Sequence, residues 1–155
     1  MDERRLLISF SGGRTSAYMT KRILDTWEDR YDKIVVLFAN TGQEHEKTLE
    51  FVHKCDQEFG FNTVWLESVP QEEIGKGCKA RVVNYETASR DGRPFEDAIK
   101  RYGIFNPASP NCTDRLKVMP MRDYARNSLG WKAGTHQQCV GIRADEIDRM
   151  SVNAE

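Results

Sequence analysis

The chain has 155 residues, 39% hydrophobic and 30% charged, which suits one domain large enough to bury a single core. Its 23 basic and 24 acidic residues leave a formal net charge of −1, so nucleic acid is not the default partner, although a total says nothing about how charge is distributed. No apolar run approaches the ~18 residues of a membrane-spanning helix, and the charged start Met1–Arg5 does not read as a signal peptide. A cytoplasmic location with no membrane partner is therefore the expectation.

In chain order, Leu6–Phe10 is a short apolar run stopped by Ser11-Gly12-Gly13, the signature of a buried strand running into a tight turn. Ser16 to Trp27 follows with roughly helical apolar spacing. Lys33–Ala39 is rich in β-branched residues and ends at Asn40-Thr41-Gly42, a turn signal. A second helix begins at Thr48 and stops at Gly60, and Thr63–Leu66 gives a third strand. Strand–helix–strand–helix–strand argues for an α/β fold with a mainly parallel sheet. From 69 to 110 glycines and prolines break the pattern. This stretch reads as a long irregular excursion outside the sheet, with one helix over Phe95–Tyr102 behind Pro94. Its basic residues Lys76, Lys79, Arg81, Arg90 and Arg93 suit either a solvated loop or a lid over a polyanion. Leu116–Leu129 can be helical despite Pro120, and Gln138–Ile142 is the last strand expected.

The four cysteines, Cys55, Cys78, Cys112 and Cys139, form no CxxC pair, which fits neither a zinc ribbon nor an iron–sulfur cluster. Reduced thiols, some of them buried, are expected. His45, His53 and His136 have no metal-site spacing and read as surface or capping residues. Trp27, Trp65 and Trp131 read as core or edge anchors.

The segment Ser11-Gly12-Gly13-Arg14-Thr15-Ser16 lies between a strand and a helix. Glycine allows several backbone N–H groups to turn inward, the helix start adds unpaired donors and partial positive charge, and three hydroxyls stand nearby. This is a ready anion site, although it is neither the GxxxxGK[ST] loop nor GxGxxG.

The hexapeptide resembles the SGGxDS loop of the PP-loop ATP pyrophosphatases, or adenine nucleotide α-hydrolases, and most closely the phosphoadenosine phosphosulfate (PAPS) reductase branch. Phe38–Gly42 with Glu44 and Glu46–Thr48, then Cys112–Pro120, then Gly141–Glu146 with Arg149, resemble further segments of that branch in the same order. The match extends over essentially the whole chain and is closest to small phage and bacterial members. It implies a single Rossmann-like domain over 1–155, with a mainly parallel five-stranded sheet and helices on both faces. It implies phosphate binding by Ser11, Gly12, Gly13, Arg14, Thr15 and Ser16, an adenine near Phe38, Asn40, Thr41 and Gly42, and closure by Gly141 and Arg143. Arg115 and Lys117 would face the reacting end, with Cys112 as candidate nucleophile. Cationic neighbours would raise the thiolate fraction of that cysteine.

Three departures from the family pattern bear on chemistry. Thr15 stands where the ATP-cleaving branch has an Asp able to help hold Mg²⁺, leaving Glu44, Asp145 or Glu146 as other anchors. PAPS reductases attack sulfur with a cysteine near the C-terminus, and no cysteine follows Cys139 here. Similar proteins continue past the Gly141–Glu146 segment, so a C-terminal part of the family is expected to be missing.

The expected function is an enzyme acting at the phosphate or sulfate end of a PAPS-like or ATP-like nucleotide. Sulfonucleotide reduction would need a thioredoxin-like thiol partner and no iron–sulfur cluster. ATP cleavage to AMP and pyrophosphate would need Mg²⁺. The reading from another class is a nucleotide-binding module without turnover, or a subunit of a sulfur-transfer complex. An enzyme that modifies nucleic acid after activating it with ATP is a further reading, which the near-neutral charge weakens. A homo-oligomer is expected.

Overall fold

A computed structural model describes residues 2–73, 75–106 and 113–141. Five strands form one sheet: β1 (Arg5–Ser9), β2 (Lys33–Asn40), β3 (Val64–Pro70), β4 (Cys78–Val83) and β5 (Gln137–Val140), in the order β4-β3-β2-β1-β5. All pairings are parallel except β3 with β4. The central position of β2 explains its near-continuous apolar sequence, because both of its faces are covered. The α/β architecture expected from the alternating pattern is the one observed.

Alternation along β1 sends its side chains to two different cores. Leu6 and Ile8 face the helices α1 (Arg14–Thr26) and α2 (Glu46–Phe59), packing with Ala17, Ile23, Leu49 and Val52. Leu7 faces the other way, toward Met121, Ala125 and Trp131. Each such large aliphatic side chain contributes about 2 kcal/mol when fully buried. The chain steps from β1 through β2 to β3 in one direction, which keeps α1 and α2 on one face. It then returns to the opposite side of β1 for β5, so the intervening helix covers the other face.

Local chemistry sets the ends of α2. The Nδ1 of His45 accepts the N–H of Lys47 at 3.1 Å, and Gly60 closes the helix in the left-handed region at φ 64°. Asp56 then accepts the N–H of Thr63 at 3.0 Å and the indole N–H of Trp65 at 3.4 Å, fixing the entry to β3.

Between residues 75 and 106 the structure holds a strand as well as the expected helix. A tight return, with the Gln71 N–H on the Gly77 carbonyl at 2.9 Å, brings Cys78–Val83 back as an antiparallel edge strand. This corrects the reading of the segment as lying outside the sheet. Three of the basic residues there are spent internally. Arg81 pairs with Glu67 and Arg90 with Glu46, both at 2.8 Å, and Arg93 lies 3.5 Å from Asp91. The helix α3 (Arg93–Tyr102) starts with Pro94 in its first turn.

Residues 114–128 form one continuous helical stretch. Asp114–Val118 and Tyr124–Ser128 are wound as π-helix on either side of α4 (Met119–Asp123). Pro120 is tolerated because it sits in the first turn of α4, after a wide turn in which the Met119 N–H reaches back to the Asp114 carbonyl.

Candidate functional site

The loop after β1 is locked from below. The Phe10 N–H donates to the Leu37 carbonyl at 2.8 Å, and the Phe10 ring packs edge-on against Phe61. Gly12 then turns at φ 83°, where a Cβ would lie 2.8 Å from Thr48 Cγ2 and 3.2 Å from the Phe38 ring. Gly13 caps α1 in extended geometry, and the Ser11 N–H donates to Ser16 Oγ at 3.0 Å, tying the loop to the first turn of the helix. The first intrahelical bond runs from the Ala17 N–H to the Gly13 carbonyl at 2.9 Å. The N–H groups of Arg14, Thr15 and Ser16 therefore precede the helical ladder, and no acidic residue stands in that turn.

These groups open onto a cavity of about 510 Å³, a size typical of small-ligand sites. Its floor is Leu7 and Ser9 of β1. One wall is the loop, with Ser11, Gly13, Arg14, Thr15 and Ser16. Gln138, Val140 and Gly141 enter from β5 and its end, and Thr113, Lys117, Val118 and Met121 from the facing helix. The position is the carboxyl end of the parallel strands, between β1 and β5, where strand order reverses. Ligands bind at that point in open α/β sheets.

A family model described as the phosphoadenosine phosphosulfate reductase domain matches residues 5–149. The chain belongs to the PAPS reductase domain family. An uncharacterized nin region protein of Escherichia phage lambda, ORF290, is 31% identical over 147 residues, which is 93% of this chain and 50% of that protein. The chain thus spans about half the length of this relative.

Within this PAPS reductase domain, seven of the residues singled out from sequence line the cavity: Ser11, Gly13, Arg14, Thr15, Ser16, Lys117 and Gly141. Cys112 and Arg143 lie outside the described residues, as do Asp145 and Glu146. The others are placed elsewhere. Gly12 faces the core, and the Phe38 ring is buried between Phe10 and Trp65. Gly42 is needed for packing, since a Cβ there would come within 2.9 Å of the Gly92 backbone. Thr41 Oγ1 bonds Glu44. Arg115, expected at the reacting end, instead lies over the Tyr102 ring at 4.3 Å, on the far flank of the 114–128 helix.

Asn40 is fully buried and its side chain is spent on the protein. Its Nδ2 donates to Glu67 at 2.7 Å and to the Ser89 carbonyl at 2.9 Å, and its Oδ1 accepts the Gly42 N–H. Glu67, also fully buried, accepts from Arg81, the Ser89 N–H and the Ser89 hydroxyl as well. Burial pushes its carboxyl up, but the hydrogen bonds from Arg81, Ser89 and Asn40 outweigh burial and hold it below the usual carboxylate range. An acid inside a mostly apolar strand was the available signal for this network.

Alternation along β5 separates its cysteine from the cavity. Gln138 and Val140 line it, while Cys139 points to Met19 Sδ at 3.6 Å, and burial pushes its thiol up. Among the described residues no thiol and no carboxylate lines the cavity. No group of three or more His, Cys, Asp or Glu residues is placed to hold a metal among them either, and none of their helices is long and apolar enough to cross a membrane.

Proposed function

We propose that this chain binds an adenine sulfonucleotide of the PAPS type, with its phosphosulfate end against the 11–16 loop and Lys117, and acts on the sulfate. The observation that carries this reading is a lining of hydroxyls, helix-start N–H groups and the cations Arg14 and Lys117, with no carboxylate among its described residues. Such a set complements a polyanion without needing a metal bridge. It does not fit a Mg²⁺ held by the protein, so no step is assigned to that ion, and adenylylation by ATP cleavage is the weaker reading. In the reduction, a thiolate attacks the sulfate sulfur, the S–O bond to the nucleotide breaks, and the bisphosphate nucleotide leaves. A second thiol then releases sulfite and forms a disulfide, so two thiols supply both electrons. A thioredoxin-like thiol protein is the partner this chemistry requires.

Calorimetric titration with PAPS, ATP and ADP, with and without Mg²⁺, tests the reading. Metal-independent binding that prefers PAPS is expected. Lys117→Met removes one charge-assisted contact worth about 1.5–3 kcal/mol, so it should weaken binding at least ~10-fold with the melting temperature unchanged. Binding of ATP alone and only with Mg²⁺ would replace the proposal with adenylylation. A folded protein that binds none of the three would remove it.

A further inference from the structure

The 114–128 helix has two flanks. One faces the nucleotide cavity. The other borders a separate open groove of about 590 Å³, closed on its far side by the β3–β4 return and the end of α3. Five cations, Lys76, Arg101, Arg115, Arg122 and Arg126, line this groove, with Asp123 as the one carboxylate among its described lining residues. Both oxygens of Asp123 are already engaged, by the Ala80 N–H at 2.9 Å and by Asn127 at 2.7 Å.

The cations are largely uncompensated. Lys76 sits 3.9 Å from an exposed Glu73, a contact that water screens. Arg101 spends its Nε on the Gln71 carbonyl. The Nε of Arg115 is buried with no hydrogen-bond partner among the described residues. Neither Arg122 nor Arg126 has an ion-pair partner among them. A chain with net charge −1 has thus concentrated positive charge in one concave place, away from its phosphate loop.

We infer that this groove binds single-stranded nucleic acid through its phosphodiester backbone. Arg115, Arg122 and Arg126 follow one side of the helix over about three turns, a track longer than one phosphate group but suited to successive ones. Four of the five cations are arginine, whose planar fork binds phosphate oxygens in pairs. The Arg115 guanidinium lies over the Tyr102 ring at 4.3 Å and both line the groove, a cation–aromatic pair of the kind on which bases stack. An acidic peptide would use the fork of that guanidinium but not its face. A duplex is disfavoured because the helix is packed against the sheet edge and cannot enter a major groove.

The test is fluorescence anisotropy with a labelled oligothymidylate of about 12 nucleotides, within the usual span of single-strand sites, across a salt series. The double variant Arg122→Gln/Arg126→Gln changes two exposed side chains and leaves the nucleotide cavity untouched. It is expected to melt like the parent, to keep its calorimetric nucleotide binding, and to lose at least ~10-fold in oligonucleotide affinity, with the log–log salt slope reduced by about 1.4, or ~0.7 for each lost phosphate contact. Three results would each overturn the inference: no oligonucleotide binding by the folded parent, equal affinity and slope in parent and variant, or displacement of the oligonucleotide by lower concentrations of polyglutamate or tripolyphosphate than of unlabelled oligonucleotide.

Discussion

Gly12→Ala should cost about 2–5 kcal/mol in urea denaturation, while Gly13→Ala, one residue on, should change stability by less than about 1 kcal/mol. Gly12 sits at φ 83°, where a Cβ would stand 2.8 Å from Thr48 Cγ2, 3.2 Å from the Phe38 ring and 3.3 Å from Val52 Cγ2. The left-handed backbone alone costs an alanine about 1–2 kcal/mol, and forcing a methyl into a packed core costs about 1–3 more. Gly13, at φ −91° and ψ 162°, is in a region open to any residue, and the nearest atom to its Cβ position is Ser11 Oγ at 3.7 Å. Alanine there reduces the freedom of the unfolded chain, a gain of about 0.4–1 kcal/mol, which offsets its poorer fit at the N-cap of α1. Its methyl would stand beside Ser11 in the cavity lining, so nucleotide affinity should fall with the fold intact. The pair separates two features of the loop, since position 12 is packed against α2 and position 13 lines the cavity. A loss below about 1 kcal/mol for Gly12→Ala would mean that the loop relaxes away from α2 and that the contact with Thr48 is not what fixes it.

The same division explains what could be read from the letters. Leu6–Phe10, Lys33–Ala39 and the Ser11–Ser16 turn declare themselves because each carries a local pattern: an apolar run, a β-branched run, glycines before a helix. The edge strand β4 does not. Its sequence, Cys-Lys-Ala-Arg-Val-Val, is half exposed, and only its pairing with β3, across a glycine-rich return, makes it a strand. The site divides in the same way. Lys117 and the loop residues other than Gly12 line the cavity, but Arg115 is two residues from Lys117, and that spacing sends it to the opposite flank of a helix. Ser9, Thr113 and Gln138 reach the cavity only through the meeting of β1, the 114–128 helix and β5, an event no segment reports alone. Asn40 was legible as a turn residue at a strand end; that its amide would be consumed by a buried Glu67 depends on the register Asn40 to Glu67 between β2 and β3.

That carboxylate carries the second large effect. Glu67→Ala should destabilise the protein by about 3 kcal/mol or more. Arg81 is half exposed and can turn its guanidinium to water, so its loss as a partner costs little. Asn40 Nδ2 and the Ser89 N–H have no such exit; each loses an acceptor, at about 1–3 kcal/mol for a buried group left unsatisfied, and the vacated volume adds a cavity term. Glu67→Gln keeps the volume but turns an NH₂ toward groups that are themselves donors, so it should also destabilise. The pH dependence gives the sign. The folded carboxyl is held below its ordinary 4.5, so its ionised form favours the native state. That contribution is complete above the unfolded value and is lost as pH falls below about 4.5, through the folded pKa. Other carboxyls held low, such as Asp32 and Glu46, add to the acid limb of the parent, so the measurement is the difference in unfolding free energy between parent and Glu67→Gln from neutral pH downward. That difference should be largest near neutrality and shrink in acid. A gap that stays constant down to the acid transition would show that Glu67 is not ionised in the native protein, and the end of β2 would then be joined to the middle of β3 by a neutral hydrogen-bond network rather than by a buried charge.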